Sequence, residues 1–125
     1  MVRAVVEGVL YNAYWIATGL FEQTGIPSRL MASGGLLEVE WIRETMADVF
    51  GIPVEYYDEG DASSVGAAWL AELATGERQW SDVRLPSESR QRHQPDNAAH
   101  ARHLARFERF KQAAAGLGLV ATALD

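Results

Sequence analysis

Three groups of residues have types and spacings that bear on chemistry. Gly34-Gly35 follows a short apolar run, Arg29-Leu30-Met31-Ala32-Ser33, and precedes a helical pattern. Without Cβ atoms such a turn lets a backbone come close to a nucleotide, and the following helix N-terminus offers N–H donors and a partial positive charge. Taken alone, the same pattern also makes a tight strand-to-helix turn with no ligand. Glu38 and Glu40 are two apart on a helix, so their carboxylates point about 200° apart and share no site. They read as charges favoured at a helix start. His100 and His103 are three apart on a helix, with His93 nearby and Asp96 as the one further ligand type. A metal site needs a third ligand and supporting hydrogen bonds, so these histidines read as an exposed helix face and no metal is expected. No Ser-His-Asp arrangement or phosphate-binding P-loop pattern occurs. With no cysteine, disulfides, thiolate zinc sites and cysteine nucleophiles are excluded.

The elements that must position these residues follow from periodicity. Residues 3–24 place Val5, Val6, Val9, Leu10, Ala13, Ile16, Ala17 and Leu20 on one helical apolar face, ended by Gly25-Ile26-Pro27. Residues 29–33 read as a buried strand, and Glu38 to Phe50 as a second helix closed by Gly51 with Pro53 beyond it. Residues 52–57 form a second strand candidate, with Pro53 at its start. Asp58-Glu59-Gly60-Asp61 is a turn, and Ser63 or Ser64 caps an alanine-rich helix to about Thr75. Gly8 is explained by close helix-to-sheet packing, Tyr14, Trp15 and Trp69 by the core, and Trp80 by sealing the tail onto the body. The expected division is an α/β core over 1–76, an irregular linker over 77–97, a helix over 98–115 and a small apolar tail over 116–125.

The order helix, strand, helix, strand, helix, loop, helix implies an α/β fold with a small parallel sheet joined by right-handed crossovers. Two parallel strands make an unusually thin sheet, since such sheets are covered on both faces and have more strands. The segment is therefore expected to be a piece of a larger sheet, or to borrow strands from a partner.

The 125 residues are 48% hydrophobic and 22% charged, the balance of one ordinary globular domain. The net charge of −6 is uneven: residues 1–83 carry −9 and residues 84–125 carry +3. An acidic body argues against a nucleic-acid partner. No apolar run approaches the ~20 residues of a membrane helix, and the start shows no secretory signal, so a cytoplasmic location is expected.

Four segments in register resemble the C-terminal end of the FGGY family of carbohydrate kinases. Arg3-Ala4-Val5-Val6-Glu7-Gly8 is similar to that family's Arg-Ala-x-x-Glu-Gly helix start. Ala32-Ser33-Gly34-Gly35, then Trp41 and Ala47-Asp48-Val49-Phe50-Gly51-Ile52-Pro53-Val54, resembles its glycine turn, helix and following strand. Ser64-Val65-Gly66-Ala67-Ala68 resembles its Ala/Ser-x-Gly-Ala-Ala helix start, and Pro95-Asp96 with Ala99-His100-Ala101 its last helix. The resemblance covers about residues 2–110. It implies a partial actin-like (ribonuclease H-like) ATPase domain, the later part of the second of two such domains.

The resemblance also implies ATP and magnesium as cofactors of the intact enzyme, with Gly34 and Gly35 against the ATP. Val39 takes the place of a polar adenosine contact and has no hydrogen-bonding side chain. Neither the family's phosphate-gripping Asp-Gly-Gly turn nor its catalytic aspartate has a counterpart here, so no catalytic residue is assigned. Two functions follow. One is the nucleotide-side segment of a sugar kinase, not competent alone. The other is a non-catalytic protein that keeps the fold fragment for assembly. The expected partners are a second copy, most simply in a twofold dimer, or a separate N-terminal kinase segment.

Overall fold

In a computed structural model the described residues are 1–57, 62–84 and 91–118. The turn expected at 58–61, Pro86 and the tail beyond residue 118 lie outside them. The elements are α1 (Val2–Thr24), β1 (Leu30–Ala32), α2 (Glu40–Phe50), β2 (Val54–Tyr56), α3 (Ala62–Thr75), β3 (Gln91–His93) and α4 (Asn97–Gly116). This is the expected α/β order with one strand added. α3 begins at Ala62, so Ser63 and Ser64 sit inside its first turn instead of capping it.

The sheet has the order β1-β2-β3. β1 runs parallel to β2, with Leu30, Met31 and Ala32 beside Val54, Glu55 and Tyr56. β3 runs antiparallel to the other edge of β2, with His93 beside Val54 and Gln91 beside Tyr56. The sheet is thus mixed, and β3 lies within the stretch expected to be irregular. Gln91-Arg92-His93 carries no apolar alternation, so its strand state comes from side-chain partners on other elements.

α2 is sandwiched between the sheet and the pair α1 and α4. Against the sheet it buries Ala47 on Ala32 and Val54. On its other side Ile42, Val49 and Phe50 pack with Val6, Leu10 and Tyr11 of α1 and Phe107 of α4. Tyr14 lies edge-on to both Phe50 and Phe107, with ring centroids 5.3 and 5.0 Å apart. Gly51 ends α2 in the left-handed conformation, φ 65°. The His100 ring occupies the space there, 2.7 Å from where a Cβ would stand, so backbone and packing both require glycine.

Three sequence expectations are corrected. The apolar residues of α1 divide into two faces: Val6 and Leu10 are buried, whereas Val5, Val9, Ile16 and Leu20 are 52–71% exposed. A Cβ at Gly8 would meet nothing within 4 Å, so close packing within the chain does not explain it. Trp80 is exposed and seals nothing, and α3, with Trp69 on it, has no buried residue.

Candidate functional site

β1 ends at Ala32, and the chain turns through Ser33 into Gly34, whose φ of 105° is one that side-chain-bearing residues avoid. Gly35 opens a four-residue 3-10 turn, Gly35–Glu38, closed by Leu37 N–H donating to Gly34 O at 2.9 Å. Val39 is extended (φ −85°, ψ 117°) and α2 starts only after it. The N-terminal donors of α2 therefore lie at Val39 and beyond, not at the glycine pair, which corrects the helix-start reading of that turn. Gly34, Gly35 and Val39 are all exposed.

The two glycines differ. Gly34 is fixed by its backbone angle. Gly35 has an ordinary φ, and a Cβ there would meet nothing within 4 Å. Nothing in the described chain requires glycine at 35.

The turn is held from below by Arg43. Its guanidinium donates to Leu37 O at 2.6 Å and Glu38 O at 2.9 Å, to Gln91 Oε1, and to His93 Nε2 at 3.2 Å. It also stacks over the Tyr56 ring at 4.6 Å. Arg43 is 4% exposed, so the charge is buried with its donors used. Sequence reasoning missed this residue. The available signal was a charge in the apolar register of α2, four after Val39 and three before Met46.

Beside the turn a cleft of about 180 Å³ opens between the carboxyl ends of β1 and β2 and the start of α3. Met31, Ser33, Tyr57, Val65, Gly66 and Trp69 line it. Ligands of open α/β sheets bind outside the carboxyl ends of the parallel strands. Tyr57 N–H donates to Ala32 O at 2.9 Å, clamping the two strand ends, and Tyr57 Oη donates to Glu55 Oε2 at 2.9 Å. Burial and the Glu55 carboxylate push the Tyr57 hydroxyl above its ordinary pKa, so it stays a donor. Glu55 is buried between Arg29 at 3.0 Å and Arg92 at 3.7 Å.

The histidines do not converge. His100 Nδ1 lies 2.8 Å from Asp48 O, and His103 Nδ1 lies 2.8 Å from the Tyr11 hydroxyl. His93 belongs to the Arg43 cluster. His103 is buried, not on an exposed face as its sequence setting implied. Among the described residues no three His, Asp or Glu side chains stand together to hold a metal ion.

The model of the FGGY family of carbohydrate kinases, C-terminal domain, matches residues 1–75, which run from α1 to the end of α3. The chain belongs to the FGGY family. Its relatives include a gluconokinase of Bacillus licheniformis, 37% identical over 84 residues, which cover 66% of this chain and 16% of that one. A glycerol kinase of Lactococcus lactis is 32% identical over 90 residues, 71% of this chain and 18% of that one. Two solved FGGY structures from Lactobacillus acidophilus superpose on nearly the whole chain. A ligand-bound xylulose kinase does so with a TM-score of 0.74 and 26% identity, over 93% of this chain and 24% of that one. A gluconate kinase gives 0.73 and 27%, over 92% and 24%. The FGGY chain described here thus spans less than a fifth of those curated relatives and about a quarter of those structures. At 93% of the chain, the superposition extends past α3 into α4.

Proposed function

We propose that this chain forms the nucleotide-side, C-terminal part of an ATP-dependent carbohydrate kinase, which transfers phosphate to a sugar or sugar-acid hydroxyl. It is not competent alone. The observation that carries this is Gly35, exposed beside the strand-end cleft in a conformation and a space that would accept a side chain. An ATP lying along Gly34 and Gly35 toward Gly66 would fill the room a Cβ takes. The described residues present no cluster for magnesium, which would be held by the nucleotide and by the rest of the fold. Exposed Glu38 and Glu40 beside the turn weaken binding of a polyanion, and Val39 adds no polar contact. The partner is the remaining part of the FGGY fold, which would cover the free edge of β1 and the exposed face of α1. Phosphoryl transfer depends on positioning and charge stabilisation from both sides of the phosphates, and one side cannot supply that.

Titration of magnesium-ATP into isotopically labelled chain tests the site. We expect dissociation constants in the millimolar range, with amide shifts at Ser33, Gly34, Gly35 and Gly66. Gly35→Val should remove them without lowering the melting temperature, because a Cβ there meets nothing within 4 Å and the position is exposed. Submicromolar affinity, or binding that Gly35→Val leaves intact, overturns the assignment. A coupled assay on the chain alone should show no phosphorylation of gluconate, xylulose or glycerol; turnover of even about 1 s⁻¹ contradicts the dependence on the rest of the fold.

A further inference from the structure

A cavity of about 600 Å³ lies between the first turns of α1 and the first half of α4. Its charged and polar lining is Arg3, Glu7, Asp48, Arg102, His103 and Arg106. Three arginines and two carboxylates thus line one opening, a local excess of positive charge in a chain whose net charge is −6.

What matters is which groups still have hydrogen-bonding capacity. Glu7 is paired, accepting from Arg3 at 3.3 Å and from Arg106 at 3.4 Å, and one oxygen of Asp48, Oδ1, accepts the Asp96 N–H at 2.8 Å. The Nδ1 of His103 is taken by the Tyr11 hydroxyl. Arg102 has no hydrogen bond or ion pair among the described residues. A guanidinium carries five N–H donors. Arg102 has all of them free among the described residues, Arg106 divides its donors between Glu7 and the Tyr11 hydroxyl, and Arg3 bonds Glu7 while lying over the Trp41 ring at 5.8 Å. The lining therefore sets three guanidinium groups against two carboxylates, an excess of one positive charge, with spare donors in planar forks that match the oxygens of a phosphate. A volume of this size also holds a small organic body beside the anion.

We propose that this cavity binds a small phosphate monoester, with Arg102 and Arg106 gripping the phosphate and His103 forming the floor. The site shares no residue with the glycine turn, so it stands or falls independently of the nucleotide reading.

The test uses the full chain, labelled on histidine and arginine side chains and on backbone amides. Inorganic phosphate and methyl phosphate are titrated at constant ionic strength, with sodium chloride as the control. Saturable shifts of the His103 ring and of Arg102 and Arg106 Nε–H signals, with a dissociation constant of millimolar or below, are expected. Arg102→Ala should weaken binding at least tenfold. Arg102 is exposed and unpartnered among the described residues, so the variant should melt as the parent does. Arg84→Ala, away from the cavity, should leave binding unchanged. Non-saturating shifts equal to those of chloride, or equal weakening by both variants, overturn the proposal.

Discussion

His103 shows how one buried side chain links sequence to solution behaviour. It sits on α4 with its ring edge-on to Tyr11 and its Nδ1 in that hydroxyl's hydrogen bond. Burial lowers its pKa below the ordinary 6.5; Glu7 and Asp48 pull it up in part, while Arg106 and Arg3 push it further down. The folded chain therefore keeps the imidazole neutral where the unfolded chain accepts a proton. As pH falls through about 6.5, the unfolded state binds more protons than the folded one, and stability drops. The contribution is fully present above that pH and is lost below it. We expect the melting temperature to fall between pH 7 and pH 5, and His103→Gln to flatten that fall. Parallel profiles for the two proteins would show that His103 carries none of it. From sequence this residue reads as surface, because it pairs with His100 at helical spacing among polar neighbours such as Arg102 and Arg106. Its burial depends on Tyr11, ninety-two residues away, and no local spacing encodes that contact.

At the scale of elements, what was legible followed from helical periodicity and from glycine and proline punctuation. α1, α2 and α4 fall within a residue or two of their expected bounds because each carries strong caps or a clear apolar stripe. Gly51 marks its helix end for a reason sequence can express, and Asp96 caps α4 by accepting the Ala99 N–H at 2.6 Å. β3 was not legible, because Gln91-Arg92-His93 becomes a strand through contacts made elsewhere. Arg43 binds Gln91 and His93, and Glu55 faces Arg92. The glycine turn was legible in place but not in form, since the 3-10 turn is set by Arg43 holding the Leu37 and Glu38 carbonyls. Arg43→Met removes a buried charge but strands two carbonyls and two side chains. Breaking such a network costs about 3 kcal/mol. Chemical denaturation should read that loss, and hydrogen exchange should speed up together at Leu37, Glu38 and Arg92. Exchange that rises in the turn while β3 stays protected would show that Arg43 does not couple them.

At the scale of the molecule, this chain leaves uncovered what a complete sheet domain would bury. α1 carries Val2, Val5, Val9, Ile16 and Leu20 on one side, all more than half exposed. Its charged residues, Arg3, Glu7 and Glu22, all lie off that stripe. Gly8 and Gly19 flank it, and a Cβ at either meets nothing within the chain. Each costs a helix roughly 1 kcal/mol against alanine, a cost that packing against another element would offset. β2 is paired on both sides, so among the described residues β1 and β3 are the sheet's edge strands. An apolar face of this extent is uncommon on a monomer, and an open strand edge invites pairing. Where the rest of the FGGY fold is not supplied, the same face should pair with a second copy through a twofold axis. Sedimentation at micromolar concentration should then give twice the 13.8 kDa chain mass. Val9→Glu with Ile16→Glu should return the monomer while leaving helicity and the melting transition of each chain in place, since both side chains point away from the core. A clean monomer for the unsubstituted chain, melting cooperatively, would mean that α1 tolerates water on its outer face and that the stripe is not an interface.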